Sequence, residues 1–132
     1  MASRGLVPCL LAALAAAPAS AAWVKVYENE AAFFYVDPAT IRKNGNHLRA
    51  WGMQDLRKKD ADGVMSRRGL AEYDCKEARV RLLLNSAFAG PMATGKTLVS
   101  NNSPGEWHDI PADSTPGKLI TNRRVCSSLT WL

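Results

Sequence analysis

Hydrophobic and polar positions along this chain fall into two regimes. From Leu6 to Ala17 the sequence is almost unbroken apolar, preceded by Arg4 and followed by Pro18-Ala19-Ser20-Ala21-Ala22. A basic start, an apolar run and small residues in an A-x-A arrangement predict a secretory signal over residues 1–21, cleaved after Ala21. A retained membrane helix is the alternative. The run is short of the roughly 20 apolar residues that span a bilayer, and Pro18 breaks it. Beyond the leader, apolar and polar residues alternate with the period of a strand.

Trp23 to Tyr27 places Val24 and Val26 on one face and Lys25 on the other. Phe33 to Val36 is a second, aromatic-rich strand, ended by Asp37-Pro38. Ile41 to Lys43 leads into Asn44-Gly45, a pair suited to a tight hairpin, and a strand follows from His47 to about Leu56. Arg57 to Gly63 is a charged loop. Ser66 to Cys75 sets Ala71, Tyr73 and Cys75 against Arg68, Glu72 and Asp74. Arg79 to Leu84 turns Val80, Leu82 and Leu84 inward and Arg79 and Arg81 outward. Thr97 to Ser100 and Glu106 to Ile110 are short strands, and Ser114-Thr115-Pro116 starts a helix reaching about Ser128. One wet face per sheet points to antiparallel pairing. The expected fold is α+β, mainly β: about six antiparallel strands and a C-terminal helix in one domain, residues 22–132.

Charge narrows the class of partner. Of 17 Lys and Arg only Arg4 leaves with the leader, so against 12 Asp and Glu the mature net charge is about +4. That excess favours anionic partners: lipopolysaccharide, glycosaminoglycan, acidic proteins or phospholipid surfaces. Nucleic acid is not expected, because the chain is exported and carries no recognition motif. Basic residues cluster at Arg57-Lys58-Lys59, Arg67-Arg68 and Arg123-Arg124. The first two clusters flank one loop, which predicts Arg57, Lys58, Lys59, Arg67 and Arg68 as a single cationic patch at one sheet end; a solvated charged loop is the plainer reading.

Cysteine usage fits export. Cys9 lies in the leader behind Leu6-Val7-Pro8, with proline where a lipid-attachment cysteine needs a small residue, so lipidation is not expected. Cys75 and Cys126 remain as an even pair in an oxidising compartment, which favours a bridge. A reactive or metal-binding thiol pair is the rival reading, but there is no C-x-x-C and no histidine close to either cysteine in sequence.

Other candidate chemistry is thin. Gly90-Pro91-Met92-Ala93-Thr94-Gly95-Lys96-Thr97 matches the phosphate-binding pattern G-x-x-x-x-G-K-[ST]. That loop must open a helix whose amides face the phosphates. Here Leu98 and Val99 favour a strand, and Asn101 to Gly105 stop any helix, so nucleotide binding is rejected. His47 and His108, near Trp51 and Trp107, are the candidates for a haem or metal; otherwise no cofactor is expected. His108 and Asp109 are neighbours in a strand and point apart, and no G-x-S-x-G elbow occurs, so no enzyme activity is expected. The four tryptophans read as half-buried sheet residues or as a stacking platform.

The ordered landmarks resemble the bacterial surface-adhesin protein E family. They are Trp23; Phe34-Tyr35-Val36-Asp37 before Ile41-Arg42-Lys43; Trp51; Ser66 before Glu72-Tyr73-Asp74-Cys75; Arg79 and Arg81; Gly95-Lys96; Trp107 with Ile110-Pro111; and Val125-Cys126. The resemblance implies a small antiparallel β protein with a C-terminal helix and one disulfide, Cys75 to Cys126. The family's namesake is an outer-membrane lipoprotein that adheres to host components such as vitronectin and laminin and is associated with haem. This chain departs in lacking a lipidation cysteine, and no host-binding segment maps onto it residue by residue. The expectation is an exported, adhesin-like binding protein for anionic polysaccharide or protein ligands, periplasmic or at the cell surface, with a homodimer open. A haem or small-ligand carrier, or an envelope structural or inhibitor protein, is the alternative.

Overall fold

A computed structural model describes residues 22–110 and Cys126. The strands are β1 (Val24–Glu28), β2 (Ala32–Val36), β3 (Arg42–Asn44), β4 (His47–Leu56), β5 (Ser66–Asp74), β6 (Arg79–Phe88), β7 (Thr97–Asn101) and β8 (His108–Asp109). A turn of 3-10 helix, Pro38–Thr40, is capped by Asp37, whose carboxylate accepts from the Ala39 amide. All strands join one antiparallel sheet. Six follow the path β1-β2-β4-β5-β6-β7; β3 pairs with β4, and β8 with β6. The expected C-terminal helix lies outside the described residues.

The tight β3–β4 hairpin forms where expected, but it turns on Gly45-Asn46, with Gly45 at φ +61°, one residue beyond the expected Asn44-Gly45, because Asn44 pairs with His47. On one sheet face Val36, Leu48, Ala50, Ala71, Tyr73 and Ile110 form the buried core, with Val26, Ile41, Val80, Cys75 and Cys126 packed against it. Burial also pushes the Tyr73 phenol up to about 12. Cys75 and Cys126 are joined there, 5.7 Å apart at Cα and 51 residues apart in sequence. Closing a loop of that length is worth about 4 kcal/mol on the chain-entropy account.

Simple alternation fails in β6. Leu70 faces Leu84 but Ala71 faces Leu82, so Leu83 is the extra residue of a β-bulge. The extra residue reverses the facing of everything after it. Leu84, expected inward beside Val80, lies on the opposite face, across from Leu70. Leu82 keeps the core-side row but is 45% exposed. The bulge crowds β5: a Cβ at Gly69 would sit 3.0 Å from the Leu84 carbonyl oxygen and 3.1 Å from Leu82 Cδ2, so a side chain there would need its neighbours to give by a few tenths of an ångström. The face expected to be wet holds a second surprise. Glu72 and Asp74 do lie on it, yet are 1% and 6% exposed.

Candidate ligand-binding face

Register orders the outward face into cross-strand rows. Arg49, Glu72 and Arg81 make one row, and Asp74 and Arg79 an adjacent one beside His47. Trp51, Leu70 and Leu84 make the next, then Tyr35, Met53, Arg68, Ser86 and Ser100. Phe33, Asp55, Ser66 and Phe88 close the series. Opposed residues on one face lie close enough to interact, so each row is one chemical environment.

At one end the charges satisfy one another. Glu72 accepts from Arg49 Nε at 2.7 Å, from Arg81 Nη2 at 2.8 Å and from Asn44 Nδ2 at 3.1 Å. Asp74 accepts from Arg79 Nη2 at 2.8 Å and from the Glu77 amide at 3.0 Å. His47 stands between them, with Nδ1 3.5 Å from Glu72 and Nε2 3.5 Å from Asp74. Trp107 covers the group, its ring 4.9 Å from His47 and 4.7 and 5.2 Å from the guanidinium carbons of Arg81 and Arg79. Burial alone raises the Glu72 carboxyl; hydrogen bonds from Arg49, Arg81 and Asn44 outweigh it and bring it down to about 2. Arg79, with the Glu77 amide, holds Asp74 below the usual carboxylate range.

At the other end one arginine has no such partner. Arg49, Arg57, Arg67, Arg79 and Arg81 each face a carboxylate, and Arg42 donates to the Ala39 and Ile41 carbonyls. Arg68 is exposed and, among the described residues, has neither acid nor hydrogen-bond partner. Two aromatic rings hold it instead: its guanidinium carbon lies 5.2 Å from the centroid of Trp51 and 5.7 Å from that of Phe88. Such contacts attract the guanidinium through its charge while leaving its five N–H groups for an incoming acceptor.

The five-cation patch read from the sequence is divided by this geometry. Arg57 is paired with Glu28 at 3.1 Å, donates to the Asn29 carbonyl and lies 4.1 Å over Phe33. Arg67 shares the Gly69 face, opposite to its neighbour Arg68, and binds Asp60 at 2.6 Å. The Val64 amide, with help from Arg67, holds the Asp60 carboxyl low. Of these five, Lys58, Lys59 and Arg68 keep an uncommitted charge among the described residues. The reason is plain physics: strand neighbours face apart, Asp60 in the loop claims Arg67, and Glu28 on β1 claims Arg57.

His47 and His108 are not brought together. His108 pairs with Val80, which pairs with Tyr73 on the core-side face; His47 lies on the outward face. Among the described residues no three His, Cys, Asp or Glu side chains group as a metal site. Gly90 to Thr97 leads into β7, not a helix. Its amides are already used: Met92 N donates to Asp55 Oδ1 and Ala93 N to Ser66 Oγ, with Met92 and Ala93 at positive φ. Sequence reading missed Trp107 as the lid of the ionic cluster and Phe88 as the second wall of Arg68. The Asp74–Arg79 and Glu72–Arg81 pairs were readable as two rungs of one tight hairpin.

The architecture has solved counterparts. The chain superposes on Haemophilus influenzae protein E with a TM-score of 0.64 at 10% identity, covering 86% of this chain and 89% of that one. A second crystal form of that protein gives 0.61 at 11% identity, with 83% and 90% covered. Protein E from non-typeable Haemophilus influenzae gives 0.59 at 11%, with 77% and 74% covered. At such identities the likeness concerns the fold. No curated protein matches the chain in sequence. The sequence model of surface-adhesin protein E matches residues 23–127, nearly all of the chain beyond the leader-like segment, and the chain therefore belongs to the surface-adhesin protein E family.

Proposed function

We propose that this chain is an exported, adhesin-like binding protein of a bacterial envelope that recognises anionic ligands without chemically altering them. The observation that carries this reading is Arg68: an arginine seated on two aromatic rings, exposed, with no carboxylate opposite it among the described residues. A guanidinium set against aromatic rings and left unpaired is a recognition group for carboxylate, sulfate or phosphate. Lys58 and Lys59 add charge in the loop that precedes β5.

Family membership supports adhesion, and the Cys75–Cys126 disulfide supports an oxidising compartment outside the cytoplasm. Cleavage after Ala21 belongs to the same proposal. No helix among the described residues is long and apolar enough to cross a membrane.

The test is binding of the mature protein to immobilised heparin, hyaluronan and basement-membrane extract, before and after Arg68→Gln with Lys58→Gln and Lys59→Gln. Loss of binding at an unchanged unfolding midpoint supports the reading. Full retention of binding overturns it. Protease shaving of intact producing cells reports on display: digestion of the protein places it at the cell surface, and protection places it in the periplasm.

A further inference from the structure

The row that holds Arg68 carries more than charge. Across the sheet Arg68 is opposed by Ser86, and Ser86 by Ser100 on β7. The two serine hydroxyls are 3.4 Å apart, Ser100 exposed and Ser86 half-buried. Three polar groups thus stand in line on β5, β6 and β7, spanning roughly 10 Å at the usual inter-strand spacing. One is a cation. The other two are neutral hydroxyls, each able to donate and accept. Trp51, on the same face as Arg68, supplies a flat wall.

An acid borders this site. Asp55 lies on the same face, two residues along β4 from Met53. A densely charged polyanion laid here would meet that carboxylate. A ligand with one negative charge and several hydroxyls would not.

Resting on the anionic-ligand reading above, we infer that the Arg68–Ser86–Ser100 row is a subsite for an acidic sugar. The ligand class is a polysaccharide with about one carboxylate per disaccharide, its carboxylate on Arg68 and its ring hydroxyls on the two serines. An acidic peptide is disfavoured, because its repeated carboxylates need several free cations in line, and this row offers one.

The test uses hyaluronan oligosaccharides and poly-glutamate as probes, titrated into the mature protein, its Arg68→Gln variant and its Ser86→Ala/Ser100→Ala variant. Ser100 is exposed and Ser86 half-buried, and each change removes only a hydroxyl; the unfolding midpoint, read on the same samples, checks that the fold is intact. The expected result is hyaluronan binding weakened about tenfold by Arg68→Gln and about threefold or more by the serine change, the size of one charged and one neutral hydrogen bond. Poly-glutamate is expected to bind more weakly and to be indifferent to the serines. If the serine variant binds hyaluronan as wild type does while Arg68→Gln weakens every probe, the sugar inference fails and the anionic-ligand reading stands. If Arg68→Gln changes no probe, that reading fails as well.

Discussion

Two ends of one sheet face use the same ingredients to opposite effect. Around Trp107, Arg79 and Arg81 lie against an indole and grip Asp74 and Glu72. Around Trp51, Arg68 lies against an indole and grips nothing among the described residues. The difference is register. Glu72 is opposed by Arg49 on one side and Arg81 on the other, whereas Arg68 is opposed by Met53 and Ser86. An arginine on a tryptophan is therefore no functional signature in itself. It stabilises the sheet when a carboxylate sits across the strand and becomes a recognition group when none does.

Glu72 offers the hardest blow to that contrast. Replacing it by Gln leaves Arg49 and Arg81 without their counter-charge on a buried centre, and should cost about 3 kcal/mol, the order found when one partner of a buried ion pair is removed. Urea unfolding reads this directly. A loss under 1 kcal/mol would make the paired end no more structural than the other.

Acid probes the same group without mutation. The folded Glu72 carboxyl, at about 2, lies below its ordinary 4.5, so the charged form is favoured by folding. The contribution is complete above about pH 5 and is lost as pH falls toward 2, amounting to about 3 kcal/mol. Asp74, also held low, shifts stability in the same sense. Stability measured from pH 7 to pH 2.5 should decline along that course, and Glu72→Gln should flatten most of it.

Smaller effects separate the two ends. Arg81→Gln removes one partner of Glu72 and leaves Arg49, so about 1.5 kcal/mol is expected. Arg68→Gln forfeits only an exposed ring contact, on the order of 0.5 kcal/mol. Chemical denaturation of both variants in parallel checks the order; equal losses would erase the distinction between the ends.

Much of the fold was legible because period-two alternation reports local facing. The whole of β4, the hairpin around Gly45 and the strand that replaces the helix of a phosphate loop follow from residues adjacent in sequence. The bulge at Leu83 was not legible, since Leu82, Leu83 and Leu84 suit either face equally. Nor was the site. Arg57, Lys58, Lys59, Arg67 and Arg68 look like one patch when counted along the chain. Asp60 claims Arg67 from seven residues away and Glu28 claims Arg57 from 29 away, and the second pairing depends on which strands are neighbours. Likewise the link of Glu72 to Arg49 crosses 23 residues and is set by the β4–β5 register.

The most direct test of the contrast is titration calorimetry of a hyaluronan oligosaccharide into the Arg68→Gln and Arg81→Gln variants, both folded at pH 7. Binding about tenfold weaker for Arg68→Gln and unchanged for Arg81→Gln is the outcome expected if the unpaired end recognises and the paired end holds the sheet together. Unchanged affinity in Arg68→Gln alongside loss in Arg81→Gln would contradict it.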